Sequence, residues 1–303
     1  MEKSLYLEYV QRFFPQLVLS IVERLNEKRA NQLPYMYKTL LTPDFSADGR
    51  WSSILAEYNR VAADVVSLDS ELPLKTRDSI ETASGEIPKL GMKLYLTEKQ
   101  MKDIDAMIAQ SLPLNQIVNK IFNDLPRCLE GVWERIEDMF LSELSTGIGL
   151  SERNNGTGVR LDVGYYTANK FGVSVLWDDP DTSTPLDDMQ KVFDKALEDQ
   201  NTVTDIWLDD AALKGLYQSK QVRGQYAFDN KVTAQEGVGV PTLDFDKAAQ
   251  VVKTKWDVTL HRVARKIKTE INGVKKSHSP WQQGMVVFTC DEKLGSLVWT
   301  NTA

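Results

Sequence analysis

Two β-rich segments far apart in the chain, with a long helical block between them, constrain the fold most. The first, Asp64–Leu96, is predicted to be an extended excursion of short strands, interrupted at Gly85-Glu86-Ile87-Pro88. The second, Ile267–Val298, contains an Asn272-Gly273 turn and the run Gly284–Phe288. A lone hairpin is only marginally stable in water, so the first segment needs a partner surface that nothing nearby in the sequence offers. Strands and helices interleave without a regular βαβ rhythm, which predicts an α+β fold.

Helical periodicity is strongest near the N-terminus and in the middle of the chain. Residues 1–30 repeat apolar side chains at helical spacing. Residues 115–145 carry the longest apolar helical face, and Pro126 is expected to bend it. Between them, Thr97-Glu98-Lys99-Gln100 has the spacing of a capping box, which predicts a helix from there to about residue 110.

The remaining sequence predicts short elements joined by loops. Residues 31–50 and 222–241 are predicted to be loop or weakly ordered, because turn-forming Gly, Pro and Asp punctuate them. The predicted strands are Ile80–Ala83, Ile87–Leu96, Val159–Tyr166 paired with Phe171–Trp177, Val203–Leu208 and Thr259–Ala264. The predicted helices are Leu186–Glu198 after Pro185, one capped by Asp209 or Asp210, and Phe245–Thr254 capped by Asp244.

Charge and composition exclude several classes of protein. The formal net charge is −7, whereas a protein that mainly grips nucleic acid is usually basic. The only cysteines, Cys128 and Cys290, form neither a disulfide framework nor a zinc box, which favours free thiols in a reducing cytoplasm. No secretory signal and no apolar run of about 20 residues is present, so we expect a cytoplasmic protein with no membrane partner.

Motifs for metal, nucleotide or covalent chemistry are missing from the sequence. The two histidines, His261 and His278, lack a neighbouring ligand at metal-binding spacing. The glycine pairs of Gly156-Thr157-Gly158 and Gly237-Val238-Gly239 extend to no phosphate-binding motif. No nucleophile elbow occurs. We therefore predict no catalytic residue, no metal site and no cofactor.

Two acidic clusters and one basic run are the remaining candidate sites. Asp178, Asp179 and Asp181 lie among Pro and Thr residues, and Asp209-Asp210 lies where a helix cap belongs, so loop and cap roles are favoured over general acid–base catalysis. The basic run flanks predicted hairpin strands, where charge also protects an exposed edge, and it lacks aromatic residues for stacking bases. It comprises Arg262, Arg265, Lys266, Lys268, Lys275 and Lys276.

The segments without chemistry resemble a family of tailed-bacteriophage proteins. Arg60–Pro73, the strand motif Gly85–Lys93 and Leu96-Thr97-Glu98 resemble the extended loop and following helix of the lambda-like major capsid protein E family. Ile271–Gly273, Ser279–Trp281 and the later Gly284–Gly295 stretch resemble the outer domain of such proteins. The resemblance covers most of residues 30–300 through degenerate motifs and rests on their order and spacing.

The resemblance implies a Hong Kong 97-like capsid fold. It implies an N-terminal helical arm over 1–60, an extended β-hairpin loop over 61–97, and a peripheral domain with a spine helix over 98–185. The axial domain would occupy 186–303. Family members usually continue with further strands, so that domain is expected to be either shortened at its C-terminus or completed differently. The acid, Lys and Asn of a self-catalysed crosslink have no identifiable counterparts here, so we predict no such crosslink.

The resemblance also implies a structural function and a set of partners. Copies of the chain would form the hexamers and pentamers of an icosahedral virion shell, assembled in the bacterial host cytoplasm. Scaffold, portal and decoration proteins, and packaged double-stranded DNA held without sequence-specific contacts, are the other implied partners. Two alternatives stay open: an encapsulin-like nanocompartment shell, and a cytoplasmic α+β enzyme whose site converges on Asp178, Asp179 or Asp209.

Overall fold

A computed structural model shows a mixed fold of nine helices and eleven strands in the residues that it describes. The described residues are 6–27, 34–56, 80–151, 159–162, 169–232, 243–271 and 273–301. The contacts divide the chain into two compact units. The helical unit is Met1–Lys38 with Lys89–Asp138, and the mixed unit is Thr39–Pro88 with Met139–Ala303. The domain boundaries expected at residues 60, 97 and 185 stay predictions.

Five helices lie wholly or partly in the helical unit, and the second and the fifth extend along the sequence into the mixed unit. The helices are α1 (Leu7–Glu27), α2 (Met36–Leu40), α3 (Glu98–Ala109), α4 (Leu114–Ile121) and α5 (Leu125–Thr146). Its small core joins Tyr6 to the fully buried Ile104 and to Ile117. The Tyr6 hydroxyl also donates a hydrogen bond to Asp105 at 3.1 Å, so the first described residue is held against α3.

The capping box of α3 confirms the sequence prediction. The Gln100 N–H donates to Thr97 Oγ1 at 3.3 Å, and the Thr97 N–H donates to Gln100 Oε1 at 2.8 Å. These two bonds satisfy backbone donors that have no partner inside the helix. The predicted bend at Pro126 is wrong. The helix is interrupted between α4 and α5. Pro126 lies in the first turn of α5, where the missing N–H leaves no intrahelical hydrogen bond unmade.

A buried carboxylate ties the start of α2 to α5. Glu137 has no exposed surface, and its two oxygens accept the backbone N–H groups of Met36 at 2.9 Å and Tyr37 at 3.1 Å. These N–H groups belong to the first turn of α2 and need an acceptor from outside the helix. One turn earlier on α5, Glu134 accepts the Tyr35 hydroxyl at 2.9 Å. The α2 turn is therefore held by side chains that lie about a hundred residues later.

The mixed unit is built around a three-stranded sheet covered by helices. The sheet has the order β10–β6–β7, from β6 (Asp205–Asp209), β7 (Thr259–Val263) and β10 (Val286–Thr289). Strand β6 runs parallel to β7 and antiparallel to β10. The connection from β6 to β7 contains α7 (Asp210–Gln218), α8 (Lys220–Asp229) and α9 (Phe245–Trp256), and α6 (Pro185–Glu198) precedes β6. Ile206 and Leu208 of β6 belong to the main apolar core together with residues of these helices.

The other strands of the mixed unit form four separate two-stranded pairs. The pairs are β1 (Leu41–Phe45) with β11 (Gly295–Trp299), β2 (Arg50–Ala56) with β3 (Ile80–Glu86), β4 (Ile148–Ser151) with β5 (Val159–Asp162), and β8 (Ile267–Ile271) with β9 (Val274–His278). The β1–β11 pair is parallel, with Leu41 opposite Gly295, so the last described strand returns to the first. Two-stranded ribbons are marginal alone, which leaves these pairs dependent on further contacts.

The structure differs from the prediction in three regions, 64–96, 31–50 and 222–241. Strand β3 pairs with β2, so the extended excursion predicted over 64–96 starts earlier, at β2. Ile87–Leu96 is not a strand, and within it the sulfur of Met92 packs against Gly131 of α5. Residues 57–79 of the predicted hairpin lie outside the described residues. The 31–50 region, predicted to be loop, contains α2 and β1. Helix α8 covers residues 222–229 of the predicted weakly ordered region, and residues 233–241 lie outside the described residues. Local turn residues misled the prediction, since tertiary hydrogen bonds decided both segments.

The predicted β-pair of residues 159–166 and 171–177 is also wrong. Strand β5 pairs with β4, and Phe171–Trp177 has no strand partner. Trp177 turns inward: its indole N–H donates to Asp188 at 3.1 Å, and its backbone lies against Gly215 of α7. A Cβ on Gly215 would lie 2.5 Å from the Trp177 carbonyl oxygen. The contacts of Trp177 with Asp188 and Gly215 thus take the place of the predicted strand pairing.

Gly215→Ala should destabilise the protein by about 1–3 kcal/mol, because the added methyl group overpacks against backbone that cannot rotate away. Gly224→Ala in α8 is the matched control, since its Cβ would meet nothing within 4 Å. That helical substitution should stabilise by about 0.5–1 kcal/mol. Urea unfolding measures both, and equal effects at the two positions would contradict the close approach of Trp177.

Glu137→Gln should destabilise by about 2 kcal/mol, because an amide offers one acceptor oxygen and turns its NH₂ toward a second N–H donor. Glu134→Gln is the control on the same helix. Its amide oxygen still accepts the rotatable Tyr35 hydroxyl, so a loss below about 1 kcal/mol is expected. Thermal and urea unfolding of the two variants compare them, and a harmless Glu137→Gln would show that the clamp contributes little.

Candidate assembly surfaces

The β8–β9 hairpin is a basic, solvent-exposed ribbon of the mixed unit. All five residues of β9 are exposed, and the register pairs Lys276 with Thr269 and Lys275 with Glu270. Directly opposite residues share a face in an antiparallel pair. One face therefore carries Val274 and Lys276, and the other carries Lys275 and Glu270, whose charged atoms lie 3.9 Å apart. Residues 266–278 contain four lysines and one glutamate, a formal net charge of +3 in an acidic protein.

An exposed apolar segment lies in the same unit, before α6. The chain from Phe171 to Leu176 is irregular, with a bend at residues 174–175, and its four apolar side chains are all exposed, with Leu176 at 66%. Scattered exposed apolar residues are common, but a contiguous run is typical of interaction sites. Asp178, Asp179 and Asp181 follow it directly and are exposed. Residues 171–181 contain no basic residue and have a formal net charge of −3.

Asp179 organises its own loop. Its carboxylate accepts the N–H groups of Asp181 at 3.1 Å and Thr182 at 3.3 Å, and the Thr182 hydroxyl at 2.6 Å. The Thr182 hydroxyl bond, then the bonds from the backbone of Asp181 and Thr182, lower the pKa of Asp179, because they stabilise its ionised form. This is a turn carboxylate, as the loop interpretation predicted.

Asp209 and Asp210 also have structural partners. Asp209 caps α7 by accepting the Ala212 N–H at 2.9 Å, which confirms the predicted cap, and its other oxygen accepts the Gly284 N–H at 3.1 Å. Asp210 receives two hydrogen bonds from the guanidinium of Arg262 on β7, at 2.5 and 3.1 Å. That pairing lowers the pKa of Asp210. One residue of the basic run is thereby committed to holding α7 on the sheet.

His261 lies in a polar cluster on the sheet face that turns away from the core helices. Its ring stacks on Trp207 of the neighbouring strand with centroids 4.0 Å apart, and its Nε2 is 2.6 Å from Asp205 Oδ1. Trp207 in turn donates its indole N–H to the Thr289 hydroxyl at 3.0 Å. Sequence reasoning missed this cluster, because 56 residues separate Asp205 from His261 and only the parallel register of β6 and β7 joins them.

The cysteines and the metal-ligating side chains give no sign of reactivity within the described parts of the chain. Cys128 and Cys290 are free thiols, and burial raises the pKa of each, which lowers the thiolate fraction. No cluster of three or more His, Cys, Asp or Glu side chains suited to a metal ion occurs among the described residues. None of the described helices has the length and apolar content to cross a membrane.

Glu143 of α5 is the titratable group with the most unusual surroundings. It lies one turn from Met139 and Phe140 on the apolar face of the helix, and burial raises its pKa to about 7. The sequence contains a signal for this site that the prediction above omits: Glu143 follows two apolar residues at i+3 and i+4 spacing, which places it on the apolar face of the helix. Its state of ionisation therefore changes near neutral pH.

Glu143→Gln should remove a pH dependence of stability. In the unfolded chain this carboxyl releases its proton near pH 4.5, and in the fold it does so near pH 7. The folded state holds the extra proton between these values, so stability falls as pH rises from about 4.5 to about 7, by roughly 3 kcal/mol. The variant should be more stable than the parent at pH 8 and similar at pH 4.5. Urea unfolding from pH 4.5 to 8.5 measures this, and parallel curves would refute it.

Comparison with known proteins gave one family match. The family model described as phage major capsid protein E matches residues 55–276. Among solved structures, the chain is similar to the crystal structure of a protein assigned as the capsid protein of an E. coli CFT073 prophage. The identity is 12%, the TM-score is 0.47, and the match covers 93% of this chain and 81% of that one. That TM-score is too low to support an argument about the fold. Comparison with curated proteins gave no match.

The family match covers the whole of the first β-rich region, 64–96, and reaches the second only as far as residue 276, within β9. It covers well over half of the chain, and it includes the long helix α5 and the whole three-helix connection between β6 and β7. The expected resemblance is confirmed. The chain belongs to the phage major capsid protein E family.

Proposed function

We propose that this chain is the major coat protein of a tailed phage or prophage, and that its copies assemble into an icosahedral shell around double-stranded DNA. The family match over residues 55–276 is the observation that carries the proposal. In this proposal the shell is made of hexamers and pentamers in the Hong Kong 97-like manner, in the cytoplasm of the host. Scaffold, portal and decoration proteins are its further partners, and the function needs no catalytic residue.

Features of the described residues suit a subunit that is completed by its neighbours. Four two-stranded pairs surround the three-stranded sheet, and such ribbons gain stability from additional contacts. Exposed apolar side chains occur in several places, among them Leu19 at 67% and Tyr95 at 75%. A monomer with these surfaces would be prone to association, whereas a shell subunit covers them on assembly.

The charge of the chain suits an enclosed nucleic acid that must move. A net charge of −7 disfavours tight, nonspecific binding of phosphate groups. Arg262 is engaged by Asp210, and Lys275 lies near Glu270, so two cations of the basic run have acidic neighbours. Binding to packaged DNA is therefore proposed to be weak and independent of sequence.

Expression of the full chain together with its adjacent phage genes should yield closed particles. Negative-stain electron microscopy should show round shells of uniform diameter, and nuclease-protected DNA should co-purify with them when the packaging genes are present. A compact monomer in sedimentation velocity, even with scaffold and portal proteins supplied, would refute the proposal. Shells that enclose an enzyme and never DNA would point to a nanocompartment instead.

A further inference from the structure

We propose that the β8–β9 hairpin of one copy docks on residues 171–181 of a second copy. This contact rests on the self-assembly proposed above and names two of its surfaces. The hairpin supplies a basic ribbon with an exposed apolar tip, and residues 171–181 supply an exposed apolar run that ends in aspartates. Both surfaces belong to the mixed unit, so each copy offers one of each.

Charge complementarity is the first argument. The hairpin, residues 266–278, has a formal net charge of +3, and the docking segment, residues 171–181, has −3. Opposite patches steer copies together and fix their relative orientation. Within each patch the charges are exposed: β9 is exposed throughout, and so are Asp178 and Asp181. Within the described residues, Glu270 lies near Lys275 and Asp210 lies near Lys266, so part of the charge of the ribbon already has an acidic neighbour in its own copy.

The apolar surfaces match in the same order as the charges. Val274, at the turn of the hairpin, is 58% exposed, and Lys275 and Lys276 follow it. Leu176, at the end of the docking segment, is 66% exposed, and Asp178 and Asp179 follow closely. Contact between the two apolar ends would remove both from water and bring Lys276, which shares a face with Val274, to the aspartates, while Lys275 on the other face adds to the positive charge of the ribbon. Burial of apolar area is favourable, so the charges would select the partner and the apolar ends would add affinity.

The backbone of each surface suits insertion by a neighbour. The hairpin is anchored at its base by the buried Ile267, whereas its β9 strand is free of cover. Residues 171–176 belong to no helix or strand within the described chain, so their backbone groups are not committed to a ladder. A contact between unlike patches is heterologous, so it leaves each copy with one free hairpin and one free segment. Such contacts form rings when the rotation between copies closes, and the proposed hexamers and pentamers are rings of this kind.

Lysines on an exposed ribbon have a competing explanation, since they also protect a free edge from unwanted pairing. That role needs no particular acidic partner. The two explanations therefore predict different results for a charge swap, because edge protection does not depend on Asp178 and Asp181. DNA is the other possible occupant of the ribbon, and it would likewise ignore those aspartates.

The charge swap tests the contact through assembly. Lys275→Glu with Lys276→Glu, and separately Asp178→Lys with Asp181→Lys, should each raise the protein concentration needed for assembly by at least about tenfold, since like charges would then face each other. All four changes together should restore assembly. Asp179 is left unchanged because it holds its loop. Lys99→Glu with Lys102→Glu, on the exposed side of α3, is the matched control and should assemble as the parent does. Circular dichroism checks that each variant is folded.

A disulfide test detects the pairwise contact even where no shell forms. Two separately tagged chains, one with Val274→Cys and one with Leu176→Cys, are mixed and oxidised mildly. A mixed disulfide dimer is expected, because the bond forms only when the two Cα atoms come within about 7 Å. Tyr95→Cys, at a 75% exposed position, replaces Leu176→Cys in the control mixture and should give at least about tenfold less product.

The outcomes separate this inference from the proposed function. Normal shells from both charge-reversed variants, or no mixed disulfide above the control, would overturn the contact and leave the coat-protein function standing. If the Lys275→Glu, Lys276→Glu variant forms normal shells that retain less DNA, the ribbon binds DNA, and the proposed contact is also overturned. Absence of shells together with a strong mixed disulfide would support the contact and count against the shell.

Discussion

Burial of strand β6 is the constraint on which the mixed unit depends. Ile206 and Leu208 have no exposed surface, and helices α6 to α9 all contribute residues to the core that covers them. Because β10 and β7 flank β6 on both edges, its backbone groups are satisfied and its side chains decide the packing. The cap at Asp209, the Arg262–Asp210 pair and the approach of Trp177 to Gly215 all follow from the position of α7 on this strand.

Around that core the molecule presents elements that are incomplete by themselves. The two-stranded pairs have few neighbours to stabilise them, and the 171–176 segment exposes apolar side chains without a ladder to join. Of the acidic residues that the sequence offered as candidates, Asp209 caps a helix, Asp179 closes a turn and Asp210 pairs with an arginine.

Local signals predicted local structure well. The capping box at Thr97, the caps at Asp209 and Asp244, and the start of α6 at Pro185 are set by side-chain groups within three or four residues of the backbone that they satisfy. Predictions failed where the partner is distant. Residues 41–45 became a strand because residues 295–299 lie beside them, and residues 171–177 remained without a strand because Trp177 found Asp188 and Gly215.

By itself, the sequence determined the α+β class, the helix caps and, through the order of its motifs, the family of the protein. These properties depend on spacing within short windows or on the linear order of segments, both of which are readable without coordinates. Only the tertiary structure decided which strands pair, that Glu137 clamps α2, and that a basic ribbon and an acidic apolar segment are both exposed. The reason is physical: pairing and burial depend on residues brought together from up to about 250 positions apart, and their energies appear only once the backbone has placed them.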